Sequence, residues 1–164
     1  MEITVSLDSA DIFRVVDKLN AYEHRLREKA DEICKRLAVS GRWEATIGFS
    51  QAIYDGTKDF DVRVEPIDNG FEIIADGETV LLLEFGAGVT YGYGHPQAVD
   101  FGMGPGTYPD AMGHWNDPKG WWFKDETGTK YHSYGNAPAM PMYNTAKDLR
   151  AMVAEVAREV FLND

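Results

Sequence analysis

The feature that most constrains the fold of this chain is the long glycine- and aromatic-rich stretch between residues 86 and 141. This stretch holds three of the four tryptophans. Connections longer than about 15 residues are uncommon in compact domains unless they are functional or disordered, and disordered segments are poor in aromatic residues. We therefore expect an insertion that is ordered, at least when bound, and that carries the function.

An amphipathic pattern before the insertion predicts a long N-terminal helix. Asp8 or Ser9 can cap its first turn, and an apolar stripe recurs at helical spacing opposite a charged face. The stripe consists of Ile12, Val15, Leu19, Tyr22, Leu26, Ile33 and Leu37. Packing on a sheet is favoured over a coiled-coil seam because the stripe lasts only about four heptads. Ser40-Gly41 is expected to kink or break the helix before a second segment from Trp43 to Tyr54.

Turn signals and alternating side chains predict three strands between these helical segments and the insertion. Residues 60–65 and 71–76 alternate apolar and polar side chains on either side of Asp68-Asn69-Gly70, a strong hairpin signal. The continuous apolar run from Val80 to Leu83 predicts a third strand covered on both faces. Together these segments predict an antiparallel meander.

The second half of the chain predicts another hairpin and a closing helix. Residues 121–123 and 131–132 flank Asp125-Glu126-Thr127-Gly128, which has the composition of a turn. A helix is expected to begin near Met142 or Asn144, with an apolar face formed by Ala146, Leu149, Met152, Val153, Val156 and Val160. The predicted fold is α+β, one domain over residues 1–164: a long N-terminal helix and a C-terminal helix packed on a small antiparallel sheet, with the insertion at about 86–141.

Composition and charge exclude several functional classes. The net charge of −11 argues against tight nucleic-acid binding, which needs cationic side chains on the phosphates. No apolar run approaches the roughly 20 residues of a membrane helix, and the start lacks the basic region of a signal peptide, so we expect synthesis in the cytoplasm and no membrane partner. Cys34 is the only cysteine, and a buried thiol is favoured over a nucleophile.

Catalytic and metal-binding patterns are weak. His95, His114 and His132 lie in the insertion near several aspartates, but no two share a ligand-like spacing, so structural histidines are favoured over a metal site. The glycine clusters lack a P-loop lysine and are expected to form turns. Glu84 is either a catalytic carboxylate or, as we favour, a partner of a basic side chain or of backbone N–H groups. No catalytic residue, metal or cofactor is therefore predicted.

The aromatic side chains of the insertion point to binding. Tryptophan and tyrosine can stack on sugar rings, and they also dominate the hot spots of protein interfaces. The candidates for a protein interface are Tyr91, Tyr93, Trp115, Trp121, Trp122, Phe123 and Tyr134. Alternation along the predicted strand places Trp122 on the face opposite Trp121 and Phe123.

The order of several short motifs resembles a family of small tail-component proteins from long-tailed bacteriophages and prophages. The resemblance covers most of the chain, from the first helix to the last. It is carried by the segments Ala75 to Val89, His95-Pro96, Gly106 to Pro109, Gly120 to Phe123, His132 to Asn136 and Pro138 to Ala146.

This resemblance implies a non-enzymatic structural protein at the neck of the virion, where head meets tail. It implies a tail-completion or tail-terminator subunit, assembled as a ring such as a hexamer or dodecamer between neighbouring neck and tail proteins. An acidic ring suits a channel through which DNA passes without specific binding. The alternatives are a carbohydrate- or peptide-binding module that uses the aromatic insertion and, more distantly, a metal-dependent hydrolase.

Overall fold

The structure, a computed structural model, describes residues 8–107, 116–124 and 127–162. It confirms the α+β fold, with a long N-terminal helix, a C-terminal helix and small antiparallel sheets. Along the chain the elements are α1 (Ser9–Gln51), β1 (Asp61–Ile67), β2 (Gly70–Asp76), α2 (Val80–Phe85), α3 (Gly88–Tyr91), a 3-10 turn (Val99–Phe101), β3 (Trp121–Lys124), β4 (Lys130–Ser133) and α4 (Pro141–Leu162). None of the helices in these ranges is long and apolar enough to cross a membrane.

Helix α1 is continuous over 43 residues, so the predicted break at Ser40-Gly41 is wrong. Asp8 caps the helix as predicted, because its side chain accepts a hydrogen bond from the backbone N–H of Asp11 at 2.9 Å. Gly41 serves close packing instead of a break. A Cβ at this position would lie 2.5 Å from Ile73 Cδ1 and 2.7 Å from Leu149 Cδ1, so the missing side chain lets β2 and α4 approach the helix.

Strands β1 and β2 form the predicted hairpin around Asp68-Asn69-Gly70. Their register pairs Val62 with Ala75 and Val64 with Ile73, and Gly70 has the positive φ that the turn requires. Val62 is buried, and Ile73 packs against the same core. The hairpin therefore places one apolar face on α1.

The predicted third strand is wrong, because Val80 to Leu83 begins the short helix α2. Val80, Leu82 and Leu83 are buried in this helix, and a continuous apolar run of this length does not distinguish a buried strand from a buried helix. Thr79, the residue before α2, holds the start of this helix to the segment before β1. Its hydroxyl donates a hydrogen bond to the carbonyl of Asp59 at 2.7 Å and accepts one from the N–H of Asp59 at 2.9 Å. The described residues thus hold two separate two-stranded hairpins and no meander.

Helix α4 runs antiparallel along α1. Its first residue, Pro141, lies beside Gly48, and near its other end the carbonyl of Val160 accepts a hydrogen bond from Lys29 Nζ at 2.9 Å. The core between α1, the first hairpin and α2 includes Phe49 and Leu83, both fully buried. Of the apolar residues predicted to face inward along α4, only Val153 is substantially exposed.

One carboxylate on this packed face of α1 is electrostatically unfavourable. Glu44 Oε2 is buried without a hydrogen-bond partner among the described residues. Burial and, to a lesser degree, the neighbouring Asp148 carboxylate raise the pKa of Glu44 above its ordinary value. The α1–α4 seam therefore carries an acidic side chain that its surroundings do not satisfy.

The first half of α1 extends beyond the end of α4. Lys29 contacts Val160 and the ring of Phe161, and α4 ends one residue later, at Leu162. The part of α1 before Lys29 therefore projects about 30 Å at 1.5 Å per residue. Four members of the predicted apolar stripe are substantially exposed here, Ile12, Leu19, Tyr22 and Leu26, and Val15 is half-buried. This part of the stripe therefore does not pack on a sheet as predicted. We call residues 9–28 the α1 arm.

Candidate functional site

The two ends of the insertion meet. Ala87 and Asn136 form an isolated antiparallel bridge, in which the N–H of each donates to the carbonyl of the other at 2.8 Å and 3.2 Å. The side-chain amide of Asn136 also donates to the carbonyl of Leu82 at 2.8 Å, and Ala139 donates to the carbonyl of Leu83 at 2.8 Å. The insertion therefore leaves the core and returns to it at one point, directly after α2.

Gly135 makes this junction sterically feasible. Its φ is +100°, and a Cβ there would lie 1.9 Å from the carbonyl oxygen of Ala87. A residue with a side chain would separate the bridge strands. The Gly135-Asn136 pair of the sequence thus has a specific structural reason at the base of the insertion.

Glu84 is the central polar residue beneath the junction. It is buried, and its carboxylate accepts three hydrogen bonds: from His95 Nε2 at 3.1 Å, from the N–H of Met142 at 2.8 Å and from the N–H of Tyr143 at 2.9 Å. Met142 and Tyr143 lie in the first turn of α4, where unpaired N–H groups and the helix dipole favour a negative charge. The prediction that Glu84 pairs with a basic side chain or with backbone N–H groups is confirmed.

His95 completes this arrangement from within the insertion. Its Nδ1 accepts a hydrogen bond from the N–H of Gln97 at 3.1 Å, so the proton shared with Glu84 resides on Nε2 in the neutral ring. The ring packs against Phe85 and Tyr143, with centroids 4.4 Å and 5.4 Å away. His95 is 7% exposed, so this Glu–His pair joins the insertion to α4 and offers no open face to a substrate.

His132 is not brought to His95. His132 lies on β4 between aromatic rings, and His114 lies outside the described residues. Among the residues that the structure describes, no group of three or more His, Cys, Asp or Glu could hold a metal ion. Cys34 is half-buried on α1, in partial agreement with the predicted buried thiol.

The second predicted hairpin is confirmed, and it sorts the aromatic candidates into two faces. β3 and β4 pair with Trp122 opposite His132 and Phe123 opposite Tyr131. Trp122 is 69% exposed, whereas Trp121 and Phe123 are half-buried. The alternation predicted from the sequence therefore holds, and Trp122 points away from the protein.

Three rings form a continuous row on this outer face. The ring of His132 lies edge-on to Trp122, with centroids 4.8 Å apart, and edge-on to Tyr134, with centroids 4.7 Å apart. Tyr134 is also exposed. We call Trp122, His132 and Tyr134 the aromatic row.

Two of the remaining candidates and two unpredicted residues extend the exposed apolar surface of the insertion. Tyr91 and Tyr93 are exposed, and Trp115 lies outside the described residues. Sequence reasoning missed Val99 and Phe101 in the 3-10 turn, which are both largely exposed. The Val-Asp-Phe spacing offered no periodic pattern that would distinguish these side chains from core residues.

A shallow apolar cleft adjoins the base of the insertion. Its volume is 350 Å³, and its walls are formed by residues 53–55 after α1, by Tyr91 and by residues 135–139. Small-molecule sites of similar volume normally include a few convergent polar groups. Here the polar lining comes mainly from Tyr54, Asp55 and Asn136, and the Asn136 side chain already donates to the carbonyl of Leu82.

No family model, curated protein or solved structure matches this chain.

Proposed function

We propose that this chain is a non-enzymatic structural subunit of a phage virion, acting at the neck or tail as a tail-completion or tail-terminator protein. In this proposal, copies assemble as a ring around the DNA channel and contact neighbouring neck and tail proteins through the insertion. The subunit is synthesised in the host cytoplasm and resides in the virion. The order of motifs along the chain, from Ala75 to Ala146, is the basis for choosing this family.

The aromatic row is the observation that carries the binding role. A Trp that is 69% exposed and flanked by two further rings leaves a large apolar surface in water unless a partner covers it. Tryptophan and tyrosine in such positions are typical of interface hot spots. The hairpin beneath them supplies a rigid base, because the half-buried Trp121 and Phe123 face the protein.

The buried Glu84–His95 pair supports a structural role for the polar centre of the fold. Each oxygen of Glu84 accepts a hydrogen bond from the first turn of α4, so the carboxylate is fully engaged in joining segments. A subunit that transmits contacts between a ring and its neighbours needs such a fixed connection between the insertion and the core helices. The acidic charge of the chain, −11, suits a channel wall that DNA does not adhere to.

A peptide- or carbohydrate-binding module is the second candidate, favoured by the cleft beside Tyr91 and Tyr54. In that case the free protein binds a sugar or short peptide in solution and needs no partner from a virion. Tyr91→Ala would then abolish binding, while the aromatic row would be irrelevant.

Replacing the body of the insertion tests the proposed role. Since Ala87 and Asn136 are hydrogen-bonded to each other, a short Gly-Ser linker in place of residues 89–134 should leave a folded subunit that cannot assemble into particles. Glu84 retains its two bonds to α4 in this variant. Thermal unfolding and particle assembly are measured on the same protein.

Two results would contradict this expectation. A variant that fails to fold would show that the insertion belongs to the core, and a variant that assembles normally would remove the insertion from the interface. Stoichiometric zinc or manganese in the purified full chain, lost together with a hydrolytic activity in His114→Ala, would instead support the metal-dependent hydrolase.

A further inference from the structure

The apolar stripe of the α1 arm continues a face that α4 covers elsewhere. Leu19 and Leu26 are substantially exposed, whereas Ile33, seven residues further along the same stripe, is half-buried. Ile33 lies between two residues of α1 that contact α4, Lys29 through the carbonyl of Val160 and Arg36 through Glu159. The stripe stays apolar along the arm, but α4, which covers it elsewhere, does not extend this far. Because the covered part of this face packs against a helix, the uncovered part has the shape and chemistry to pack against another helix.

The charges of the arm identify which helix fits. In the first half of the arm, residues 9–17, Asp11 and Asp17 outnumber Arg14, which gives a net charge of −1. In the second half, residues 18–28, Lys18, Arg25 and Arg27 outnumber Glu23 and Glu28, which gives a net charge of +1. An antiparallel copy of the same arm places each acidic half against the basic half of the other, whereas a parallel copy places like charges together.

The stripe is also symmetric about its centre. Ile12 and Leu26 each lie seven residues from Leu19, which corresponds to two helical turns. In an antiparallel pair centred on Leu19, each Ile12 therefore lies opposite Leu26 of the second copy, and the two Leu19 side chains meet at the two-fold axis. Such a contact is isologous and closes on itself.

We infer that two copies of this protein pair through their α1 arms, antiparallel, with Leu19 at the axis. This contact is distinct from the one that the aromatic row makes, and it does not rest on the virion role. In a ring, it would join two subunits, or two rings, back to back.

Sedimentation of single-site variants tests the pairing. Leu19→Glu introduces a carboxylate into the apolar seam, so the variant should sediment with half the mass of the wild-type particle, whether that particle is a dimer or a double ring. Phe13→Glu is the matched control: Phe13 is also exposed on the arm but lies about 120° around the helix from Leu19, so this variant should keep the wild-type mass. Since both positions are solvent-exposed in the single chain, circular dichroism should show folded protein in both cases. Equal masses for the wild type and Leu19→Glu would overturn the inference.

Disulfide trapping tests the direction of the pair in a Cys34→Ser background. Leu19→Cys should cross-link to itself, and a mixture of Ile12→Cys and Leu26→Cys chains should form the mixed disulfide. Ile12→Cys chains alone should not form a disulfide, because the two copies of position 12 lie about 20 Å apart in an antiparallel pair. A disulfide requires Cα atoms within roughly 7 Å of each other. Cross-linking of Ile12→Cys alone would show a parallel pair and overturn the inference. These readouts use only the purified chain, so they fail or succeed separately from particle assembly.

Discussion

Replacing Glu84 by Leu is expected to destabilise the free subunit by about 3 to 5 kcal/mol, the scale on which removing one partner of a buried polar or ionic group acts. The substitution leaves three donors without an acceptor: His95 Nε2 and the N–H groups of Met142 and Tyr143. It also removes the negative charge from the start of α4. Urea unfolding of the variant and the wild type measures the difference.

Glu84→Gln separates hydrogen bonding from burial. Gln retains the shape of Glu but has only one acceptor oxygen. That oxygen can accept either the two hydrogen bonds from His95 and Tyr143 or the one from Met142. The NH₂ group of Gln then faces the remaining donor or donors. We expect Glu84→Gln to lower the free energy of unfolding by less than Glu84→Leu does. Glu72→Leu, at an exposed position of β2, is the control for removing a carboxylate. A loss below about 1 kcal/mol for Glu84→Leu would show that the pair does not hold the insertion to α4.

Trp122→Ala is expected to weaken assembly by about 2 kcal/mol or more, the magnitude of an interface hot spot. Stability of the free subunit should change far less, because Trp122 is 69% exposed and its truncation opens no core cavity. Co-sedimentation with assembling partners and thermal melting of the same samples provide the two readouts.

Trp43 offers a matched control for this substitution. It is 66% exposed, nearly the same as Trp122, but it lies on α1 outside the aromatic row. Trp43→Ala should leave both assembly and melting nearly unchanged. A large decrease in the melting temperature of Trp122→Ala with unaltered assembly would instead show that the aromatic row supports the subunit's own fold.

The sequence predicted the elements whose signals are local. The Asp8 cap, the hairpin at Asp68-Asn69-Gly70 and the amphipathic helices α1 and α4 depend on side chains close together in the chain. The alternation that exposes Trp122 follows from strand geometry alone. These features could be predicted because periodicity and turn chemistry act within a few residues.

The errors have a common physical cause in tertiary packing. Gly41 looked like a helix breaker, but its role depends on Ile73 and Leu149, which approach from distant segments. Val80 to Leu83 had no strand partner to distinguish it from a helix, and an apolar run fits both. Local propensity is overridden wherever the decisive neighbour is far away in sequence.

The candidate site shows the same division. An acceptor role for Glu84 could be predicted from its place after an apolar run, but its partners could not: His95 is 11 residues away, and Met142 is 58 residues away. His132 and Tyr134 are close together in the sequence, but the sequence does not show that their rings and that of Trp122 form one row. The aromatic row could therefore be identified only from the paired strands.

Electron microscopy of particles produced without this chain tests the central claim most directly. The proposed role requires that the gene lie in a phage or prophage genome. It is deleted from that genome, and lysates are compared with and without the wild-type protein supplied in trans. We predict DNA-filled heads and separate or misshapen tails, restored to joined, infectious particles by the wild type but not by Trp122→Ala. Normal, infectious particles in the absence of the chain would contradict the claim that it is a structural part of the neck or tail.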